Sequence, residues 1–270
     1  MKWFWHQRSG LRLAVWETGD GPPVLFQHGL CGDATQPADV FPADSGWRCL
    51  TLECRGQGKS DAGSPEDFSL ATFSEDLVSL IEALALAPVV LGGISLGAAL
   101  ALRLAALRPD LVRALVLARP AWIDEPAPAN MQPNALVGEL LRHFPPQEAR
   151  ARFEASATAR ELAIESPDNL VSLFSFFSRE PISTTRELLC RISADGTGTT
   201  KSRIEAICVP TLVIGNSRDF VHPLAMAREL AGMIPHAKMV EITSKSTNRE
   251  RYRDHFKAAL SMFLKKLDNP

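Results

Sequence analysis

The 29 basic and 31 acidic residues of this chain nearly cancel, leaving a formal charge of −2. Both signs are mixed along the sequence, so there is no electrostatic footprint for nucleic acid or an anionic membrane. No apolar run approaches the roughly 18 residues that a membrane-crossing helix needs. The opening stretch MKWFWHQRSG has neither an uninterrupted apolar core nor a small-residue cleavage site. The five cysteines, Cys31, Cys49, Cys54, Cys190 and Cys208, form no CxxC pair and are odd in number. Neither a zinc cluster nor a complete disulfide framework is signalled. No dinucleotide-binding glycine fingerprint, phosphate loop or metal-ligand cluster occurs. The expectation is a cytoplasmic protein with no cofactor, metal, nucleic acid or membrane partner.

What is present suits a folded protein with a large core. A 270-residue chain that is 46% hydrophobic buries roughly three quarters of its unfolded surface. Short apolar, β-branched runs alternate with longer amphipathic stretches, the pattern of parallel strands joined by crossover helices. Strands are expected near 3–7, 11–17, 23–28, 47–53, 88–94, 114–118, 211–214 and 238–242. Residues 72–86 read as a helix opened by a Thr72/Glu75 capping box. The alanine- and leucine-rich LGAALALRLAALRP after Ser95 is apolar nearly all round and hence a buried helix. Residues 123–195 carry a proline-rich entry and several helical stretches but no strand signal. The expected organisation is an α/β core domain, 1–122 and 196–270, with a helical insertion, 123–195.

Gly93-Ile-Ser95-Leu-Gly97 matches G-x-S-x-G, a pattern expected by chance only about 0.08 times at this composition. Its setting adds weight, because the serine directly follows the apolar strand VVLGGI and precedes the buried helix. A strained turn there lifts the hydroxyl clear of the sheet, and the flanking glycines let strand and helix backbones approach. The helix N-terminus favours negative charge developing near Ser95. The competing reading is a glycine-rich turn with an inert serine. Upstream, LFQHGLCGD ends a strand, and CRGQGKSD follows the next one.

Taken in order, HGLCG, RGQGKS and GISLG resemble the three motifs of the α/β-hydrolase family, and the likeness extends over nearly the whole chain. It implies a mostly parallel eight-stranded sheet with helices on both faces and a helical cap, and a Ser95 nucleophile. The backbone N–H groups of Leu30 and Leu96 would then form the oxyanion hole. Cys54 departs from the aspartate that many members carry before RGxGxS, at a structural turn. His28 would support its loop, and Cys31 would be a small buried residue beside the site.

The resemblance also implies the order nucleophile, acid, histidine. Asp219, at the end of PTLVIGNSRD, holds the acid position; Asp124 is the lower-ranked alternative, and a solvated turn aspartate is the bland one. The histidine is expected in the loop after the last strand, where counting back from Phe256 reaches Ser246. That segment, EITSKSTNRERYRDHF, has no histidine in its loop, and His255 sits inside the following helix. Three explanations compete. His222, beside Asp219 and before Pro223, is a relocated base near a helix N-cap, kept neutral by the helix dipole. Lys245 lies within one residue of the expected position and would need its pKa lowered by roughly 3 units. Otherwise no base remains and the chemistry is reduced.

Within the insertion, the stripe Leu136, Leu140, Phe144, Leu173, Phe174 and Phe177 either lines a pocket or packs the cap. Arg142, Arg150, Arg152, Arg160, Arg179, Arg186 and Arg191 read mainly as helix-surface pairs. A serine elbow sets aside the dehalogenases and epoxide hydrolases of this fold, which use aspartate. The only tyrosine, Tyr252, lies outside the cap where epoxide hydrolases need theirs. The expected function is hydrolysis of a small ester or other acyl compound through an acyl-enzyme. The alternative is a catalytically reduced or non-hydrolytic member of the fold, a small-molecule binder or a lyase.

Overall fold

The computed structural model describes residues 1–268. Eight strands form one sheet: β1 (Lys2–Arg8), β2 (Leu11–Thr18), β3 (Pro23–Gln27), β4 (Arg48–Leu52), β5 (Val89–Ile94), β6 (Val112–Ala118), β7 (Thr211–Gly215) and β8 (Ala237–Glu241). Their order is β1-β2-β4-β3-β5-β6-β7-β8. The pairs β1/β2 and β2/β4 are antiparallel and all others are parallel. Each strand lies within two residues of its expected range; the central strands β3, β5, β6 and β7 are buried along nearly their whole length and so read as apolar runs.

Alternate residues feed the two layers. Leu25, Leu115 and Leu117 point to one core, with the helices α2 (Leu70–Ala83), α3 (Leu96–Leu107) and α10 (Leu224–Met233). Val24, Phe26, Ala114 and Val116 point to the other, with α1 (Thr35–Val40) and α11 (Arg249–Asp268). Phe256 anchors α11, fully buried and edge-on to Phe26 at 6.3 Å. Between β6 and β7 the chain forms α4 (Gln132–His143), α5 (Pro146–Glu154), α6 (Ala157–Glu165), α7 (Pro167–Phe176), α8 (Ile182–Ser193) and the short α9 (Lys201–Glu205), with no strand.

Two helix starts differ from expectation. Helix α2 begins at Leu70, capped by Ser69, whose side chain accepts from the Thr72 N–H at 3.0 Å. Thr72 is therefore inside the helix and not its cap. Leu70 is fully buried and its N–H donates to Asp195 at 2.7 Å, which draws the helix start forward. Helix α10 begins at Leu224 with Pro223 as its N-cap, so His222 stands one residue outside the cap.

The order of strands reverses between β3 and β5, which pair in parallel with Gln27 opposite Gly93. The loops leaving their carboxyl ends therefore diverge around a crevice, the usual ligand site of open α/β sheets.

Candidate active site

Ser95 sits where β5 turns into α3, with φ 56° and ψ −111°. A side chain with positive φ costs of order 1–3 kcal/mol and persists only where the surroundings enforce it. Here the Ser95 N–H donates to Ala118 at 3.0 Å, and its carbonyl accepts from Ala99 at 3.0 Å. The two glycines of the motif are required by contact. A Cβ on Gly93 would lie 2.6 Å from the Gly97 backbone, and one on Gly97 would lie 2.5 Å from the Gln27 carbonyl oxygen.

This geometry sets a stability prediction. Gly97→Ala must push strand and helix apart and is expected to cost about 1–3 kcal/mol. Gly232→Ala, in α10 with open space around its Cβ, should instead gain up to about 1 kcal/mol from helix propensity. Urea unfolding of the two variants checks the opposite signs.

Across the crevice, the loop after β3 is held by His28. This ring is fully buried; Nδ1 donates to the Gly29 carbonyl at 2.8 Å, and Nε2 accepts from the Cys54 N–H at 3.0 Å. Both nitrogens are committed to backbone, so His28 braces the two loops. Burial lowers its pKa below the ordinary 6.5. Gln36 accepts from the Gly29 N–H at 2.8 Å. Neither the Leu30 nor the Leu96 N–H donates a hydrogen bond to another described residue. Burial pushes the neighbouring Cys31 thiol up to about 12, so it is not a thiolate nucleophile.

Asp219, beyond β7, is buried and fully engaged. Its Oδ2 receives Arg119 Nε and Nη2 at 2.8 and 2.7 Å. Its Oδ1 receives Asn169 Nδ2 at 3.0 Å, the His222 N–H at 3.2 Å and His222 Nδ1 at 2.9 Å. Burial alone would raise this carboxyl, but the Arg119 guanidinium and His222 outweigh it and hold the group well below the usual carboxylate range. For His222 the balance falls the other way. Burial lowers its pKa below 6.5, Asp219 opposes that, and Arg119 adds to the lowering. Desolvation therefore favours the neutral ring. With Nδ1 bonded to Asp219, Nε2 keeps a free lone pair. No direct hydrogen bond joins His222 to Ser95, although both line one cavity of about 540 Å³.

The other candidates take different places. Lys245 also lines the cavity, but its ammonium is paired with Asp168 at 3.3 Å, and an ammonium held in an ion pair has no lone pair to accept a proton. Ser246 accepts from the Asp168 N–H at 3.3 Å. His255 is exposed and bonds Thr243 at 3.0 Å. Asp124 does not line the cavity.

Of the apolar stripe in the insertion, Leu173 alone reaches the cavity, while the others pack into the core. Asn134, Asn169, Ser172 and Ser175 form much of that wall instead. Arg142, Arg152 and Arg191 make surface pairs with Glu139, Glu148 and Glu187. Arg179 does not: it donates to the carbonyls of Cys31 and Gly56 at 3.1 and 3.0 Å, pinning the insertion to the loops below. Arg119 was not foreseen as a site residue. Its one sequence signal is a cation directly after the apolar strand VRALVLA. No group of three or more His, Cys, Asp or Glu is placed to hold a metal among the described residues. Nor is any described helix long and apolar enough to cross a membrane.

A serine on a strained strand-to-helix turn, opposite a braced glycine loop at a sheet switch point, defines the nucleophile-elbow class of α/β proteins. The chain belongs to the α/β-hydrolase fold family, whose model matches residues 22–245. It is 30% identical over 239 residues to the protein named "Putative non-heme bromoperoxidase BpoC" of Mycobacterium tuberculosis (strain H37Rv), covering 86% of this chain and 89% of that one. It is 29% identical over 236 residues to the mouse protein named sn-1-specific diacylglycerol lipase ABHD11, covering 81% and 72%. The solved structure of Rv0554 from Mycobacterium tuberculosis superposes with a TM-score of 0.69 at 27% identity, covering 94% of each chain. An esterase from Exiguobacterium antarcticum shares the fold, with a TM-score of 0.75 at 23% identity, covering 98% of this chain and 100% of that one.

Proposed function

We propose that this protein is a serine hydrolase acting on a small ester or related acyl compound, with His222 as a base relocated from the last loop to the β7 loop. The observation that carries the reading is that Ser95 and His222 line one cavity while Nδ1 of His222 is bonded to buried Asp219. The relatives' names, a lipase among them, support hydrolysis as the reaction class.

In the first step, Ser95 Oγ bonds to the substrate carbonyl carbon and its proton passes to His222 Nε2. The oxyanion is received by the N–H groups of Leu30 and Leu96, donors of a kind typically worth about 3 kcal/mol each. The carbon–oxygen bond to the leaving alcohol then breaks, and that oxygen takes the proton from His222. Water repeats the sequence on the acyl-serine and releases the acid. Asp219 keeps the Nδ1–H tautomer and stabilises the imidazolium. The gap between His222 and Ser95 closes through one water or on substrate binding, as hydrogen bonds in unliganded sites commonly tighten only in the complex. The insertion serves as a cap over the cavity.

A fluorophosphonate probe tests this directly. The expected result is one adduct per chain, mapped by mass spectrometry to the peptide containing Ser95. A folded protein that takes no label supports the second reading, a non-hydrolytic binder.

A further inference from the structure

Four cationic side chains line the cavity, Arg119, Lys245, Arg249 and Arg253, against a single carboxylate, Asp39. Three of the four are fixed by partners. Arg119 is held by Asp219 at 2.7 Å, Lys245 by Asp168 at 3.3 Å, and Arg253 by Asp39 at 3.2 Å across the α1–α11 seam. Arg249 has no such partner among the described residues. It lies one turn before Arg253 on α11, and Arg249, Arg253 and Lys245 all line the same cavity.

A second observation comes from the opposite wall. Asn134, on α4, is only 6% exposed, lines the same cavity, and its Oδ1 has no hydrogen-bond partner. A buried amide oxygen without a partner is costly unless a ligand or water satisfies it. The polar side chains Asn169, Ser172 and Ser175 line the same cavity, alongside Leu173 and Phe176.

We infer that the cavity selects an acyl substrate bearing an anionic oxygen group, which Arg249 and Lys245 receive at the mouth, while Asn134 bonds a polar group deeper in. This inference rests on the hydrolase reading and names the substrate class for the same site. The physical case is a ready-made pair of cations. Arg249 has an unused planar fork suited to carboxylate or phosphate. Lys245 and Arg253 are already ordered by their ion pairs, so little further side-chain entropy is lost when an anion arrives. A cavity of about 540 Å³ lies in the ordinary range for a small-molecule site.

Two measurements separate this inference from the hydrolase reading. On Ser95→Ala protein, whose turnover is expected to be all but abolished, glutarate is expected to raise the melting temperature and glutaramide not to. Inorganic phosphate is a parallel arm: a shift with phosphate and none with glutarate assigns the anion to a phosphoryl group. Each shift should be lost in Arg249→Glu and should shrink as salt rises.

On active protein, kcat/KM for the 4-nitrophenyl half ester of glutaric acid is expected to exceed that for its neutral methyl diester by about 10-fold or more, equivalent to one good charge-assisted contact. Arg249→Glu should collapse that ratio, and Arg228→Ala, at an exposed pair with Glu241, should leave it intact. Equal stabilisation by glutarate, phosphate and glutaramide, or a ratio near one in the wild type, overturns the anionic subsite. Absent turnover with anion-selective stabilisation retained overturns the hydrolase reading alone.

Discussion

Ser95→Ala is expected to lower kcat/KM for an activated ester such as 4-nitrophenyl acetate by about 10⁴- to 10⁶-fold, the scale on which nucleophile removal acts in serine hydrolases. The thermal melt should stay where it is. Alanine keeps the Cβ, so the positive φ at this turn is neither relieved nor worsened. The hydroxyl itself makes no hydrogen bond whose loss would leave a partner unsatisfied. The backbone bonds to Ala118 and Ala99 that hold the elbow remain. Activity and stability are therefore decoupled at this position, which is unusual for a residue 8% exposed. A residual rate above that of water is also expected, because the Leu30 and Leu96 N–H groups remain in place. A variant that keeps a tenth or more of the wild-type rate would move the nucleophile elsewhere, and Cys31, with its raised thiol, is a poor substitute.

How far the sequence reveals this arrangement depends on the range of the contacts involved. The strands and the elbow are legible because their causes are local. Apolar β-branched runs must be buried on both faces, and Gly93 and Gly97 stand where backbones touch. The short helix α1 is not, since TQPADV has a proline and only six residues to show periodicity. The α2 cap was misplaced by three residues because Ser69 and Thr72 both offer a hydroxyl, and only the burial of Leu70 decides between them.

At the site, Asp219 is singled out through the family resemblance, which expects an acid after this apolar strand. Its partners are not, because Arg119 and Asn169 lie 100 and 50 residues away in sequence. The same holds for the cation group at the mouth. Lys245 stands out in the sequence only as a possible base and Arg249 not at all, until α11 is docked beside α1. The sequence offers a helix dipole as the influence on His222, whereas Pro223 takes the cap and burial, which no local pattern reveals, is the largest cause lowering its pKa.

His222→Ala is expected to lower kcat by about 10²- to 10⁴-fold, the usual contribution of a positioned general base. The pH profile identifies the group. A base works when deprotonated, so activity should fall as pH drops through the His222 pKa. Burial places that pKa below 6.5, so kcat/KM should be level by pH 7 with its acid limb below 6.5. A lysine base predicts something different, a rate still climbing through the alkaline range as the ammonium loses its proton, from an ordinary value near 10.4.

Arg119 supplies the second handle. Its positive charge lowers the His222 pKa directly, and its ion pair absorbs much of the Asp219 charge that would raise it. Arg119→Gln removes both effects, so the acid limb should move to higher pH. A merely structural loss would reduce the rate without moving the limb. Asp219→Asn acts oppositely on charge, lowering the His222 pKa further, but costs rate because an amide no longer stabilises the imidazolium. An acid limb unmoved by Arg119→Gln and Asp219→Asn alike would show that the group titrating in catalysis is not His222.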